Sequence, residues 1–140
     1  MEKSAVVQII KENDIILARK RGRELAQSLH FNPIDQARIL TAISELARNI
    51  YRYAGRGQIQ FDSISAGDQI GLRLTATDCG PGIADIPKAL KQGYSSSSGL
   101  GACLPAVKRM MDEFCIDSSN ETGTKITVIK WKTRVCEGMC

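Results

Sequence analysis

The chain has 140 residues, of which 43% are hydrophobic and 24% are charged, and its formal net charge is +4. This length fits one domain, and the composition excludes a disordered or low-complexity chain. Charged side chains interrupt every hydrophobic run before it reaches the roughly 18 residues of a membrane span, so we expect no membrane association. The apolar run at residues 5–10 is short and has no cleavage site after it, so we expect a cytoplasmic protein.

The basic residues are distributed along the whole chain rather than in one patch. Their densest cluster, at residues 19–23, is typical of a solvated helix face, and we therefore predict no nucleic-acid partner. The five cysteines lack the paired spacing of zinc sites, which indicates reduced thiols without a metal.

The N-terminal residues predict a strand followed by a helix. Apolar and β-branched residues at 4–10 are typical of a buried strand. Asn13 is a candidate N-cap of the helix, Asp14 suits the positive end of its dipole, and the helical pattern continues to about Leu29. Gly22 lowers the helix propensity in the middle without ending the helix.

A second helix has a clearer start and end. Asn32 is a capping residue, and Pro33 suits the first helical position. The pattern persists to residues 53–54, before Gly55 ends it. Apolar positions at spacings of three and four predict a stripe that packs on the core, formed by Ile39, Leu40, Ile43, Leu46, Ala47 and Ile50. The same spacing places a group of polar side chains on the opposite face: Thr41, Glu45, Arg48, Asn49 and Arg52.

The second half of the chain predicts more strands than helices. Residues 58–65 and 70–76 alternate between apolar and polar side chains, and the turn residues at 66–69 join them into an antiparallel hairpin. The later elements are a short helix over 85–91, a loop over 93–98, a helix over 102–113, and strands over 114–119 and 124–132.

Two hairpins and several helices predict an α+β fold, a two-layer sandwich with a mixed, mostly antiparallel sheet and its helices on one face. The other face of the sheet should then carry polar side chains. Five strand residues fit that expectation: Gln58, Gln60, Arg73, Thr75 and Thr127.

The common nucleotide-binding motifs are absent from the sequence. Walker A is excluded because no Gly-Lys pair exists, and the glycines at 80–82 and 99–101 lack the third glycine of the dinucleotide fingerprint. The kinase triplets His-Arg-Asp and Asp-Phe-Gly are missing too. The single histidine, His30, stands at a helix end, where a structural role is typical.

Three short motifs nevertheless occur in a suggestive order. Glu45 and Asn49 lie one turn apart on the polar face of the second helix, residues 78–82 (Asp-Cys-Gly-Pro-Gly) follow a strand, and residues 99–102 (Gly-Leu-Gly-Ala) open a helix. Each motif is common by itself. Their order and spacing together are not expected by chance.

In that order the motifs resemble the GHKL superfamily of ATPases and kinases, which groups DNA gyrase, Hsp90, sensor histidine kinases and the mismatch-repair protein MutL. Residues 44–51 look like its N box, residues 78–82 and 99–102 like its two glycine boxes, and residues 123–124 like its last motif. The resemblance implies the Bergerat ATP-binding fold in a single kinase domain over residues 1–140, whose residues 133–140 form a flexible tail.

Further strings, at residues 35–38, 53–55 and 104–114, are similar to the stressosome serine kinases of partner-switching modules, which are related to anti-sigma-factor kinases. This resemblance implies a serine/threonine kinase that uses ATP and Mg²⁺. Asn49 would then offer an amide oxygen to Mg²⁺, and Glu45 would act as the general base.

The remaining roles concern ATP itself. Asp78 would accept a hydrogen bond from the adenine amine and so select ATP over GTP. Gly80 and Gly82 would let the backbone approach the base, and Thr124 would place a hydroxyl beneath the ring. The phosphates would bind at the start of the following helix, at Gly99, Leu100, Gly101 and Ala102.

The expected lid over the phosphates, residues 93–98, contains no Lys or Arg. The positive charge that phosphoryl transfer needs must therefore come from elsewhere. Four residues are candidates: Arg48, Arg52, Lys88 and Lys91.

The implied substrate is a serine on a STAS-domain antagonist, held with a STAS-domain scaffold protein in a stressosome. Once released, the kinase would bind and activate a downstream effector, in relatives a PP2C-type phosphatase. Two alternatives stay open: an anti-sigma factor, and a nucleotide-gated binding module with little kinase activity. Binding to a sigma factor would favour the first, and ATP binding without transfer to the STAS protein would favour the second.

Overall fold

The computed structural model describes residues 4–78, 100–119 and 123–132. Their elements are β1 (Ser4–Ile9), α1 (Asn13–Ser28), α2 (Pro33–Asn49), a π-helix (Ile50–Ala54), β2 (Gly57–Ala66), β3 (Gln69–Asp78), α3 (Leu100–Met110), β4 (Glu113–Ser119) and β5 (Gly123–Trp131). None of the described helices is both long and apolar enough to cross a membrane. The predicted helix at 85–91, the loop at 93–98 and the tail at 133–140 lie outside the described residues.

The five strands form one sheet in the order β1-β2-β3-β5-β4, and all four pairings are antiparallel. Gly57 lies opposite Asp78, and Asp78 lies opposite Thr124 on the other side of β3. The end of β3 therefore meets the starts of β2 and β5 at one end of the sheet. The predicted α+β sandwich is confirmed, with a sheet whose described strands are entirely antiparallel.

The core lies between the sheet and α2, which packs against β2 and β3 and also contacts α1 and α3. The predicted apolar stripe of α2 is confirmed, except that Leu40 at its margin is only partly buried. The strands contribute side chains from one face, among them Ile59, Phe61, Leu72, Leu74, Ile126 and Val128.

The start of α1 differs from the prediction that Asn13 caps it. Asn13 is the first helical residue, and the N-cap position belongs to Glu12, whose side chain makes no capping bond. Asp14 instead stabilises the residues just before the helix, because its Oδ2 accepts hydrogen bonds from the amides of Ile10 and Lys11, both at 2.9 Å. Asn13 does not cap the helix because the backbone is already helical at Glu12, with φ of −56° and ψ of −37°, whereas a capping residue has an extended backbone.

Gly22 lies in the middle of α1, and α1 is continuous through it. A Cβ at this position would lie 2.1 Å from Cδ1 of Ile43. The absence of a side chain therefore lets α1 and α2 approach closely, and this packing offsets the lower helix propensity of glycine.

The predicted start of α2 is confirmed. Asn32 is the N-cap and its Oδ1 accepts a hydrogen bond from the amide of Asp35 at 2.7 Å, and Pro33 occupies the first turn. The predicted end, before Gly55, is also confirmed, and Gly55 has a φ of +82°. The residues just before Gly55 form a π-helix rather than a last α-helical turn.

Strand β1 was predicted to be largely buried, and that prediction is wrong for half of its residues. Val7 and Ile9 are buried, whereas Val6 is 50% exposed. The reason is topological: β1 is an outer strand of the sheet, and only one of its faces is covered. The uncovered face is polar, as predicted, and its residues Gln58, Gln60, Arg73, Thr75 and Thr127 are all partly exposed.

The helix α3 ends at Met110, three residues before the predicted end at 113, because residues from Glu113 onward pair with β5. The helical spacing of Leu104, Val107, Met110 and Met111 predicts an apolar face, and all of these side chains are buried except that of Met110, which is partly exposed. Met111 follows the helix and completes its contact with the core.

An ion cluster around the buried side chains of Asp35 and Lys130 lies at the other end of β5 from Thr124. Nζ of Lys130 donates to the carbonyl of Met110 at 3.1 Å and lies 3.4 Å from Oδ1 of Asp112 and 3.7 Å from Oδ1 of Asp35. The Asp35 carboxylate is also 3.3 Å from Nη1 of Arg38. These contacts join the start of α2 to the end of α3 and to β5.

Candidate functional site

Glu45 and Asn49, the candidate base and metal ligand, lie one turn apart near the end of α2. They differ in exposure, because Asn49 is only 8% exposed, whereas the Glu45 side chain is 21% exposed. The predicted polar face of α2 is therefore not uniform. Thr41 is exposed to solvent, whereas Asn49 is buried.

The Glu45 carboxylate forms an ion pair with the guanidinium of Arg48. Nη1 of Arg48 donates to Oε1 of Glu45 at 2.7 Å, and the Arg48 side chain is 42% exposed. A charge-assisted bond this short fixes the carboxylate on the surface of α2. Arg48, predicted as a source of positive charge for the phosphates, is thus held beside the candidate base, while Arg52 is exposed.

Two buried side-chain oxygens have no hydrogen-bond partner among the described residues: Oδ1 of Asn49 and the hydroxyl of Tyr53. Leaving a buried polar atom unpaired costs about 1–3 kcal/mol, so such atoms are expected where a ligand satisfies them. An amide oxygen is an acceptor only, and it fits an oxygen-liganded cation such as Mg²⁺. The side-chain oxygen of Asn49 is therefore a suitable ligand for the Mg²⁺ that the sequence predicts.

Asp78 and Thr124, the two candidate contacts to the adenine ring, are brought together by the pairing of β3 and β5. The amide of Thr124 lies 3.4 Å from Oδ1 of Asp78. The Thr124 hydroxyl lies 2.9 Å from Oγ of Ser118 on the adjacent strand. Both candidates thus lie on a hydrogen-bonded part of the sheet, which restricts their movement.

Gly57 lies between the two parts of the candidate site, which are the end of α2 with Asn49 and the end of β3 with Asp78. The sequence analysis did not assign a role to Gly57. A Cβ at Gly57 would lie 2.3 Å from the carbonyl oxygen of Thr77, 2.8 Å from Cγ2 of Ile50 and 3.0 Å from Cβ of Asp78. Only glycine allows the residue after Asn49 to pack this close to the end of β3. Its position two residues after the helix stop at Gly55 gave no signal of this role.

The candidate phosphate segment begins a helix, as predicted. Leu100, Gly101 and Ala102 belong to the first turn of α3, where backbone amides lack partners within the helix and favour an anion. Four other candidates lie outside the described residues, namely Gly80 and Gly82 of the first glycine box and Lys88 and Lys91. Gly99 also lies outside them.

Tyr53 is a second residue that the sequence analysis did not assign to the site. It follows Asn49 at the spacing that links Glu45 to Asn49, and this repeat could have identified it. The π-helix that contains Tyr53 packs against β2 and β3. Single π-helical turns inside or after α-helices occur frequently at functional sites.

Comparison with known proteins identifies the family of the chain. A family model described as a histidine kinase-like ATPase domain matches residues 11–130. The chain is 53% identical over 131 residues to the serine/threonine-protein kinase RsbT of Bacillus subtilis (strain 168), and the alignment covers 94% of this chain and 98% of that protein.

Three solved structures share the fold. The RsbU and RsbW domains of a Mycobacterium tuberculosis protein match with a TM-score of 0.60 at 17% identity, over 93% of this chain and 32% of that chain. The mycobacterial sensor histidine kinase MprB matches with a TM-score of 0.54 at 16% identity, over 94% and 97% of the two chains. The catalytic domain of the histidine kinase ThkA matches with a TM-score of 0.53 at 12% identity, over 91% and 98%.

These structural likenesses concern the fold alone, and they confirm the predicted ATPase fold. The sequence match to RsbT is far closer, and it covers nearly the whole length of both chains. The chain therefore belongs to the histidine kinase-like ATPase domain family and, within it, to the family of the serine/threonine-protein kinase RsbT.

Proposed function

We propose that this chain binds Mg·ATP between the end of α2 and the end of β3 and transfers the γ-phosphate to a serine of a STAS-domain protein. The observation that carries the proposal is the buried, unpartnered Oδ1 of Asn49, one turn from the half-buried carboxylate of Glu45. ATP binding itself follows from the ATPase domain family. The 53% sequence identity to the serine/threonine-protein kinase RsbT supports kinase activity.

In this proposal each side chain has one task. Asn49 is an oxygen ligand of Mg²⁺, which supplies positive charge at the phosphates when it is bound. Glu45 accepts the proton of the serine hydroxyl while the serine oxygen bonds to the γ-phosphorus and the bond from that phosphorus to the ADP oxygen breaks. Asp78 accepts a hydrogen bond from the adenine amine, and Thr124 lies beside it.

The partners follow from the family resemblance. We propose that the substrate is a STAS-domain antagonist bound to a STAS-domain scaffold of a stressosome, and that the kinase acts in the cytoplasm. After phosphorylation of the antagonist the kinase is released and activates an effector, for which a PP2C-type phosphatase is the candidate.

The test is phosphorylation of the STAS-domain protein with ATP and Mg²⁺, followed by mass spectrometry of that protein. Glu45→Gln should bind ATP normally but lower the transfer rate by roughly 10²–10⁴, the contribution expected of a general base. Asn49→Ala should weaken binding of Mg·ATP. Thr41→Ala, on an exposed part of the same helix, is the matched control and should behave as the wild type.

Equal phosphorylation by Asn49→Ala would show that the metal assignment is wrong. Binding of ATP by the wild type without label on the STAS protein would instead identify a nucleotide-gated binding module. Capture of a purified sigma factor by the nucleotide-bound protein would identify an anti-sigma factor.

A further inference from the structure

The Glu45 carboxylate is held by only one of its two oxygens. Nη1 of Arg48 donates to Oε1, and the Glu45 carboxylate accepts no other hydrogen bond among the described residues. Oε2 therefore keeps its lone pairs for another donor. A general base needs a carboxylate oxygen that can reach the hydroxyl whose proton it accepts. The ion pair thus fixes one oxygen and leaves free the oxygen that the reaction requires.

This ion pair is tighter than the others of the same spacing. Three pairs of an acidic side chain and an arginine in the described helices lie three residues apart. Their N···O distances are 2.7 Å for Glu45–Arg48, 3.3 Å for Asp35–Arg38 and 3.4 Å for Arg21–Glu24. A short charge-assisted bond is both stronger and more directional than a long one. The first pair is therefore the best suited of the three to hold a side chain in one geometry.

A base on a helix surface needs such a partner. A glutamate side chain has several rotatable bonds, and without a partner it samples many positions relative to the substrate. Small misplacements of a reacting group lower the rate steeply, because proton transfer requires close contact. The planar guanidinium of an arginine directs its N–H groups along fixed lines, which the rounded ammonium group of a lysine cannot do.

We propose that Arg48 is a positioning residue for phosphoryl transfer, and that its guanidinium holds Oε1 of Glu45 so that Oε2 meets the serine hydroxyl of the substrate. This inference rests on the function proposed above, in which Glu45 is the general base. Oε2 takes the serine proton, the serine oxygen bonds to the γ-phosphorus, and the bond from that phosphorus to the ADP oxygen breaks. Arg48 keeps its own protons throughout. Its role is then beside the base rather than at the phosphates.

The first test is Arg48→Met, which removes the charge and the hydrogen-bond donors. Phosphorylation of the STAS-domain protein should show a kcat that is lower by roughly 10- to 100-fold, the effect expected when a charged hydrogen bond that orients a reacting group is lost. The KM for the STAS-domain protein and the calorimetric affinity for Mg·ATP should stay at the wild-type values, because Arg48 contacts neither ligand in this proposal. Arg48→Lys should restore only part of the rate, since it keeps the charge without the planar fork.

Two controls separate positioning from stability. Arg48→Met should unfold at nearly the wild-type temperature, because a half-exposed ion pair on a helix adds little to stability. Arg38→Met breaks a pair of the same spacing near the other end of α2, and it should phosphorylate the STAS-domain protein at the wild-type rate.

A double mutant tests whether Arg48 acts through the base. If it does, adding Arg48→Met to Glu45→Gln should lower the rate no further than Glu45→Gln alone. Losses that multiply would overturn the inference, because Arg48 would then act on the phosphates directly. Normal transfer by Arg48→Met beside slow transfer by Glu45→Gln would also overturn it and leave the proposed function intact. Normal transfer by Glu45→Gln would instead refute the general base, and the inference would fail with it.

Discussion

Asp14 shows what one exposed carboxylate contributes to this fold. Its two hydrogen bonds from the amides of Lys11 and Ile10, the former with the larger effect, lower its pKa from the ordinary value of 3.8. A carboxyl group whose pKa is lower in the folded state stabilises that state above its unfolded pKa. This contribution is lost as the pH falls through the folded pKa.

Asp14→Ala should therefore destabilise the protein at pH 7, and the difference from the wild type should shrink as the pH falls from about 4 through the acid range. Urea unfolding midpoints of the two proteins at several pH values measure this difference. A gap that stayed constant down to the most acid pH would show that the carboxylate contributes nothing through its charge.

At the scale of elements, the junction between the π-helix and β3 depends on Gly57. The nearest atom to an added Cβ is the backbone carbonyl oxygen of Thr77, which cannot rotate away as a side chain can. Any larger residue must push apart the segment that follows Asn49 and the strand end that carries Asp78.

Gly57→Ala should lower the free energy of unfolding by about 1–3 kcal/mol, the usual cost of overpacking, and should also weaken ATP binding. Denaturant unfolding and nucleotide titration measure the two effects. Gly67→Ala is the control: it strains a turn with a φ of +59° at the far end of the hairpin, so it should lose stability and keep its ATP affinity. Normal ATP binding by Gly57→Ala would show that this glycine has no role in the candidate site.

Helices, strands and the residues of the N box were predictable because each leaves a local pattern. The cap at Asn32 and the stripe of α2 depend on nearest neighbours along one helix. Burial of Asn49, the π-helix after it and the close approach at Gly57 depend instead on how α2 meets β2 and β3. Those contacts join residues far apart in sequence, and no periodicity encodes them.

At the scale of the whole molecule, α2 extends from the ion cluster at Asp35 to the candidate site at Asn49, and its 17 residues span about 25 Å. The Asp35 and Lys130 side chains are 5% and 8% exposed. Removing one member of a buried pair leaves the other charge uncompensated, which costs far more than losing a surface pair.

Asp35→Ala should lower the free energy of unfolding by about 1–3 kcal/mol, the cost of a buried polar group that loses one partner, because Lys130 keeps the Asp112 carboxylate and the Met110 carbonyl as partners among the described residues. Glu24→Ala breaks the half-exposed pair with Arg21 and should cost less than about 1 kcal/mol. Guanidinium unfolding of both variants tests this ranking. Similar losses in the two would mean that the cluster does not hold α2 to the sheet.

The turn between β2 and β3, at Gly67 and Asp68, is exposed and lies at the opposite end of the hairpin from Asp78. Strands of ten residues separate the two ends by about 30 Å. A dye or biotin attached at this turn would leave the candidate nucleotide site clear, which makes the turn a suitable point for immobilising the protein or for following its binding to partners by fluorescence.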